Sequence, residues 1–586
     1  MEPVVNRALA IGESFAKLSA IIPKENLDSL TSSLPSFSAN HFGRAEIRIF
    51  IIRFEQFPIY KVIYTRVHHR FKISKIFLRL CGIARALCRK YLLRCFLLIF
   101  LLDMSLAFYA SAAETRHPNV LFISVDDLND WTGFMKGHPQ ALTPNMDTFA
   151  ERAVSFAQAH CASPACNPSR TAMLTGISPS NSGLYFNKLQ TRFRESARLR
   201  NEDSLPNWFR KHGYTAVGSG KVFHRYQDRQ SWDAYYPSLD APTDSNRPPG
   251  ALPSKSQQAE MRVAHFKAGP MDIPRGEMSD WKVAEWIASQ LEKDWNNPFF
   301  IACGIFRPHL PLYAPKEYFD RFPLEEIQLP AVLEGDLTDV PRPGAEFALR
   351  ATLDDVLDEA GTEGWKKLVQ AYLACTSFAD DCVGHVLDAL ERSPYRDNTI
   401  VVLVSDHGWH LGEKNHTQKF TLWERGTKGV CVILAPGVSK AGAVFHDPVS
   451  LLDLFPTLCD LAGIELKPGL DGESLVEFLK DPSRKKKSPA ITTWEPGNHA
   501  VRSTRWRYIR YTDGSEELYD HFNDKEEWHN LADDANYAGV IAEHVKWLPE
   551  EEVAPDPAID IEQRKVDIQK LAVEKIDGKW ARSRTH

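Results

Sequence analysis

With 586 residues, the chain is long enough for one large α/β domain and a smaller companion, with ample core for both. Charged residues make up 25% and hydrophobic residues 43%, ordinary values for a globular protein. A formal net charge of -6 argues against a nucleic-acid binder driven by phosphate neutralisation, so an anionic ligand has to be held by particular Lys and Arg side chains or by a cation.

Residues 41 to 95 are rich in Arg, Lys, Ile and Phe, poor in acid, and show no clean period. Arg89, Lys90 and Arg94 precede an apolar run from Cys95 to Leu102, Leu106 to Ala110 follow, and Ala110-Ser111-Ala112-Ala113 closes the stretch. A basic segment, a short apolar core and a small-residue end read as a secretory signal over residues 88–113, so the protein is expected to be exported, to the periplasm or outside the cell. Asp103 breaks the run, which is shorter than the ~20 residues of a membrane span, so no stable span is expected. No Met occurs between Met1 and Met104, and residues 1 to 85 read as an over-extended gene start. The expected organisation is a leader (1–113), a catalytic domain (114–484) and a smaller C-terminal domain (485–586).

From Pro118 onward, short apolar strands alternate with helical segments, the pattern of a large mixed, mainly parallel sheet sandwiched by helices. Strands are predicted at Val120–Val125, Tyr214–Val217, Phe299–Cys303, Thr399–Ser405 and Gly429–Leu434. Leu368, Tyr372, Cys375, Ala379, Cys382, Val386 and Leu390 recur at steps of three and four, one apolar face of a helix. Pro and Gly clusters at 240–275 and 328–346 read as long loops. Beyond Asp481, short strands at 490–494, 500–503, 506–511 and 517–519 and a helix at 559–576 predict an α+β domain with a short antiparallel sheet. Of ten cysteines, three (Cys81, Cys88, Cys95) fall in the leader, and the other seven form no C-x-x-C pair or dense disulfide framework.

Three strands run into polar residues: Val120–Val125 into Asp126-Asp127, Thr399–Ser405 into Asp406-His407, and Phe299–Cys303 toward Arg307-Pro308-His309. Ligands gather at the carboxyl ends of strands in open α/β sheets, and adjacent carboxylates supply the oxygen donors that Ca²⁺ or Mg²⁺ prefers. Asp126-Asp127 alone also suits a helix N-cap with a first-turn acid, but a second such strand end favours a metal. The segment Cys166-Asn167-Pro168-Ser169-Arg170 opens a helix predicted over 169–175, placing Cys166 at the positive end of a helix dipole. Residue types alone make Cys166 a candidate low-pKa nucleophile or a structural Cys before a helix.

Cys166-Asn167-Pro168-Ser169-Arg170, continued by Leu174-Thr175-Gly176, resembles the signature of the formylglycine-dependent sulfatases of the alkaline phosphatase superfamily. The rest of that family's site recurs in order: Asp126 and Asp127, Lys221 with His224, His309, Asp406 and His407, and Lys419. The resemblance covers residues 116 to 530. It implies an alkaline-phosphatase-like fold and oxidation of Cys166 to 3-oxoalanine (formylglycine) by a dedicated formylglycine-generating or sulfatase-maturating enzyme. It also implies one Ca²⁺, held by Asp126, Asp127, residue 166, Asp406 and His407, with Ca²⁺ or Mg²⁺ left open. Arg170 would hold the hydrated aldehyde, Lys221, His309 and Lys419 would polarise the sulfate, His309 or Lys419 would protonate the leaving oxygen, and His224 would act as base.

Within the family, Arg307 to Glu317 and Ser405 to Glu413 are similar to iduronate sulfatase, which implies a sulfated carbohydrate substrate, whereas Asn167, His410, Lys414 and His416 depart from the pattern. A phosphodiesterase or phosphonate monoester hydrolase of the same superfamily would share the modified Cys and the metal carboxylates. A sulfatase-like binding protein that does not turn over would lack the intact Cys166-to-Arg170 signature.

Overall fold

A computed structural model describes residues 117–187, 192–239, 250 and 252–555. The leader with its signal, and the helix expected at 559–576, lie outside the described residues.

Eight strands form the main sheet: β1 (Asn119–Val125), β2 (Val154–Phe156), β3 (Thr215–Gly220), β4 (Ala234–Tyr236), β5 (Phe299–Ile305), β6 (Thr399–Ser405), β7 (Cys431–Leu434) and β8 (Ala443–Phe445). Their order is β8-β2-β7-β6-β1-β5-β3-β4. All neighbours are parallel except the two pairs that β7 makes, with β6 and with β2. Both faces of the sheet are covered, which is why β1, β5 and β6 are buried along their whole length and read as continuous apolar runs.

Strand side chains alternate between two cores. Leu121, Ile123 and Val125 of β1 join Ile301 and Leu403 beneath helices α2 (Ser279–Leu291) and α3 (Leu353–Arg392). Val120 and Phe122 join Phe300 and Val402 on the other face, against α1 (Cys166–Thr175) and α4 (Leu454–Ala462). The apolar face predicted on 368–390 belongs to α3, which is kinked at Gly361, and all its predicted members are buried.

The central register aligns the strand ends. Val125 lies opposite both Ser405 and Ile305, so Asp126, Asp406 and Phe306 emerge side by side. Gly220, the last residue of β3, pairs with Gly304, so Lys221 leaves at the same edge.

Several predicted boundaries shift. The strand expected at 429–434 is two, because Lys428–Gly429 pairs with Ala159–His160 in a small second sheet, while β7 begins at Cys431 in the main sheet. The loops expected at 240–275 and 328–346 carry structure of their own. A capping box from Ser254 and Gln257 starts a helix at Lys255–Glu260, Phe266–Met271 pairs in parallel with Leu312–Pro315, and Arg342–Ala348 is helical. The helix α1 begins at Cys166, three residues earlier than predicted, with Ala165 as N-cap.

The four-stranded antiparallel C-terminal sheet runs in order β9 (Ala490–Thr493), β10 (His499–Arg502), β11 (Trp506–Arg510) and β12 (Glu516–Asp520). Its Trp494, Ala500, Ile509 and Tyr519 share a core with Ala165, Leu422 and Trp423, so this sheet packs directly beneath the segments that carry Cys166 and Lys419. All seven cysteines of the described residues are free and buried. Among the described residues no helix is long and apolar enough to cross a membrane.

Candidate active site

Arg170 is the hub. One turn into α1 and fully buried, it bridges two strand ends, with Nε 2.9 Å from Asp406 Oδ2 and a terminal nitrogen 2.9 Å from Asp126 Oδ1. Its other terminal nitrogen donates to Ser124 Oγ and to the carbonyls of Lys221 and Val222. Each nitrogen of this guanidinium has an acceptor on the rim, and that satisfaction lets an ion sit in the core. Ser169 Oγ donates to the Asp406 carbonyl at 2.5 Å, tying the same helix to the same strand end a second time.

Cys166 lies at the first turn of α1 and is fully buried. Its Sγ is 3.0 Å from Lys419 Nζ, 3.3 Å from His407 Nε2 and 3.7 Å from Asp127 Oδ1. Burial alone would raise its thiol, but Lys221 and Lys419 bring it down to about 7. The other described cysteines with a resolved shift are all pushed upward by burial, so Cys166 stands apart electrostatically.

The two carboxylates at the end of β1 carry different loads. Burial disfavours the Asp126 anion, yet Lys221 and Arg170 hold it well below the usual carboxylate range, and Lys221 Nζ donates directly to Asp126 Oδ2. Burial instead pushes the Asp127 carboxyl up to about 8, against the pull of Lys419, whose Nζ is 2.6 Å from Oδ1. Asp127 Oδ2 is buried and has no hydrogen-bond partner, and His309 Nε2 lies 3.9 Å from it. His407 Nε2 lies 3.3 Å from Asp127 and 3.5 Å from Asp406; burial would lower its pKa, but Asp406 and Cys166 raise it to about 9.

One ligand atom from each of Asp127, Cys166, Asp406 and His407 fits within a 4.8 Å cluster, and a second such cluster joins Asp126, Asp127, Cys166 and His309. Three carboxylates around an orphaned buried oxygen suit a hard divalent cation. The donor set therefore fits the metal that the sequence implies.

The sequence-predicted residues thus converge, with one qualification. His224 is buried beside Lys221, but neither ring nitrogen has a hydrogen-bond partner. Burial and the Lys221 charge keep its imidazole neutral. His309 is oriented by Nδ1, which donates to the Leu310 carbonyl at 2.6 Å and leaves Nε2 facing the carboxylates. Burial, Lys221 and Lys419 also push its pKa well below the usual range.

Sequence reasoning missed the supports. Asp280 of α2 accepts the backbone N–H groups of Phe306 and Arg307, which aims the His309 loop. His416 bridges the carbonyls of Lys419 and Ala348, pinning the lysine's backbone. The buried Arg502 and Arg507 of the C-terminal sheet pair with Glu424, and Arg507 also pairs with Glu527. These pairs fix the chain just beyond Lys419. The motif spacing before Lys419 carried the signal for His416; none existed for a charge pair separated by 83 residues.

A mainly parallel sheet with carboxylates at its strand ends and a nucleophile candidate on a helix tip defines an enzyme of alkaline-phosphatase-like fold. Solved structures agree: a phosphonate monoester hydrolase from Silicibacter pomeroyi superposes with a TM-score of 0.60 at 23% identity over 73% of this chain and 94% of the other. A 2-O GAG sulfatase does so with a TM-score of 0.57 at 24% identity over 78% and 94%. The family described as Sulfatase matches residues 118–464, and the N-sulphoglucosamine sulphohydrolase C-terminal family matches 412–553. A sulfatase of Formosa agariphila is 37% identical over 447 residues, 74% of this chain and 87% of that one. Mouse iduronate 2-sulfatase is 29% identical over 60% of this chain and 69% of its own length. The chain belongs to the sulfatase family and is a sulfuric ester hydrolase.

Proposed function

We propose that this protein hydrolyses a sulfate ester of a sulfated carbohydrate, in the manner of an iduronate 2-sulfatase, using residue 166 as formylglycine and one bound Ca²⁺. The observation that carries the reading is the environment of Cys166: its Sγ, at a helix tip, lies within 3.7 Å of Lys419 and of a histidine and a carboxylate, His407 and Asp127, that also belong to a candidate divalent-cation cluster. The hydrated aldehyde supplies a nucleophilic oxygen, and the cation supplies charge to orient it and to polarise the sulfate.

The chain's own residues do the rest. Arg170 fixes Asp126 and Asp406 in register. Lys221 and Lys419 place two ammonium groups where negative charge gathers on the sulfate oxygens, in a buried site where such charges act strongly. Lys419 is the better proton donor to the departing sugar oxygen. His309 is neutral, and because its Nδ1–H is spent on a carbonyl, Nε2 presents a lone pair. His224, neutral and without partners, is the base that takes a proton from residue 166 when sulfate leaves. Maturation requires a formylglycine-generating enzyme and, on the sequence pattern, export through the signal at 88–113.

The similarity to iduronate 2-sulfatase supports trying 2-sulfated uronic acids first as substrates. The test is sulfate release by purified, matured enzyme from defined sulfated mono- and oligosaccharides, with matched aryl sulfates and aryl phosphate diesters alongside. Preferred cleavage of a sulfated sugar supports the reading. A higher kcat/KM on the phosphate diester than on every sulfate would overturn it in favour of a phosphodiesterase.

A further inference from the structure

Asp127 has a left-handed backbone, with φ 58°, although it is not glycine. Such a conformation costs an L-residue energy and persists only where its surroundings enforce it, commonly at functional sites. The enforcing group comes from the opposite layer of the fold. Tyr372, fully buried on α3, donates its hydroxyl to the Asp127 carbonyl at 2.7 Å and accepts the Asn129 backbone N–H at 2.9 Å. One oxygen thus satisfies a carbonyl and an N–H on either side of the turn after β1. The tyrosine ring packs edge-on against Trp131, with centroids 5.6 Å apart at 89°.

The turn is braced from the other strand end as well. Asp127 N–H donates to Asp406 Oδ1 at 3.1 Å, and Asn129 Nδ2 donates to the Trp409 carbonyl at 3.1 Å. The left-handed turn therefore links the two carboxylate-bearing strand ends and turns Asp127 toward Lys419 and Cys166. An extended or helical φ at this residue would direct the carboxylate and the carbonyl that Tyr372 holds elsewhere.

We propose that Tyr372 is a positioning residue for the cation pocket, holding Asp127 in the one backbone conformation that presents its carboxylate to the ion. The inference rests on the reading of Asp127 as a cation ligand. Removing the hydroxyl leaves two buried backbone groups unpaired and frees the turn to relax, while the ring and its packing stay in place. Outer partners of metal ligands typically contribute 10- to 100-fold in affinity, and a loss of about that size is expected here.

The test uses the full chain, stripped of metal with a chelator, and titrates Ca²⁺ calorimetrically into wild type, Tyr372→Phe, Trp131→Phe and Asp127→Asn. Trp131→Phe disturbs the same core without touching the hydroxyl. The expected result is a Ca²⁺ dissociation constant raised about 10-fold or more in Tyr372→Phe, near wild type in Trp131→Phe, and binding lost in Asp127→Asn. Wild-type affinity in Tyr372→Phe, with binding lost in Asp127→Asn, would overturn the positioning role alone. Equal losses in Tyr372→Phe and Trp131→Phe would reduce it to general packing and overturn it too. Undiminished binding by Asp127→Asn would overturn the metal reading on which it rests.

Discussion

Replacing Arg170 with Met keeps a long apolar stem in the core and deletes a guanidinium that makes five hydrogen bonds. Two buried carboxylates lose a partner. Asp406 loses its arginine outright, while Asp126 keeps Lys221. Breaking one side of a buried ion pair costs about 3–5 kcal/mol, and the surviving Lys221 contact places this variant at about 3 kcal/mol. The cost should depend on metal. A cation that binds the freed carboxylates only in the folded state adds RT ln(1 + [L]/Kd), about 2.7 kcal/mol at a hundredfold excess over Kd. Urea unfolding in chelator and in Ca²⁺ measures both: the variant's midpoint should drop in chelator and recover in part with Ca²⁺. Turnover should fall by about 10- to 100-fold even when the protein is folded, since the charge that fixes the two strand-end carboxylates is gone. An Arg170→Met protein as stable as wild type in chelator would refute the view of this residue as the hub of the strand ends.

Gly304→Ala places a Cβ 2.3–2.5 Å from the Lys221 backbone, so Lys221 must move; urea unfolding should show a loss of about 1–3 kcal/mol and kinetics a fall in kcat. In His224→Ala, two unsatisfied buried ring nitrogens disappear, so unfolding free energy should stay within about 1 kcal/mol of wild type while turnover drops about 10²-fold or more. Glu424 is buried, which favours its acid form, but Arg502, His521 and Arg507 hold its folded pKa well below the usual range. Its contribution is therefore complete above the unfolded pKa of about 4.3 and is lost as pH falls toward the folded one. Glu424→Gln should be destabilised at pH 7, with the gap to wild type closing as unfolding is followed down through that range.

Most of the candidate site was legible because strand ends announce themselves. Val120–Val125 and Thr399–Ser405 are apolar runs that stop abruptly at Asp, and the parallel register then forces their ends together. Cys166 and Arg170 were legible as a pair, one helical turn apart, although the helix begins at Cys166 itself and not at Ser169. What lay hidden is what local sequence does not encode. Tyr372 looked like one more member of an apolar helix face, since nothing in a 3.6-residue period says that a hydroxyl reaches across to Asp127. The Arg507–Glu424 pair joins two segments whose partnership exists only after the C-terminal sheet has docked under Trp423. Val430 reads as part of one strand, 429–434, yet the chain switches sheets there, because its flanks find partners in Ala159–His160 on one side and β6 on the other.

In the proposed mechanism residue 166 is the group that attacks sulfur. Cys166→Ala, expressed with the maturation enzyme and shown by urea unfolding to be folded, should release no sulfate above background from a sulfated sugar that the wild-type enzyme cleaves. Sulfate release at the wild-type rate by that variant would contradict the mechanism at its first step.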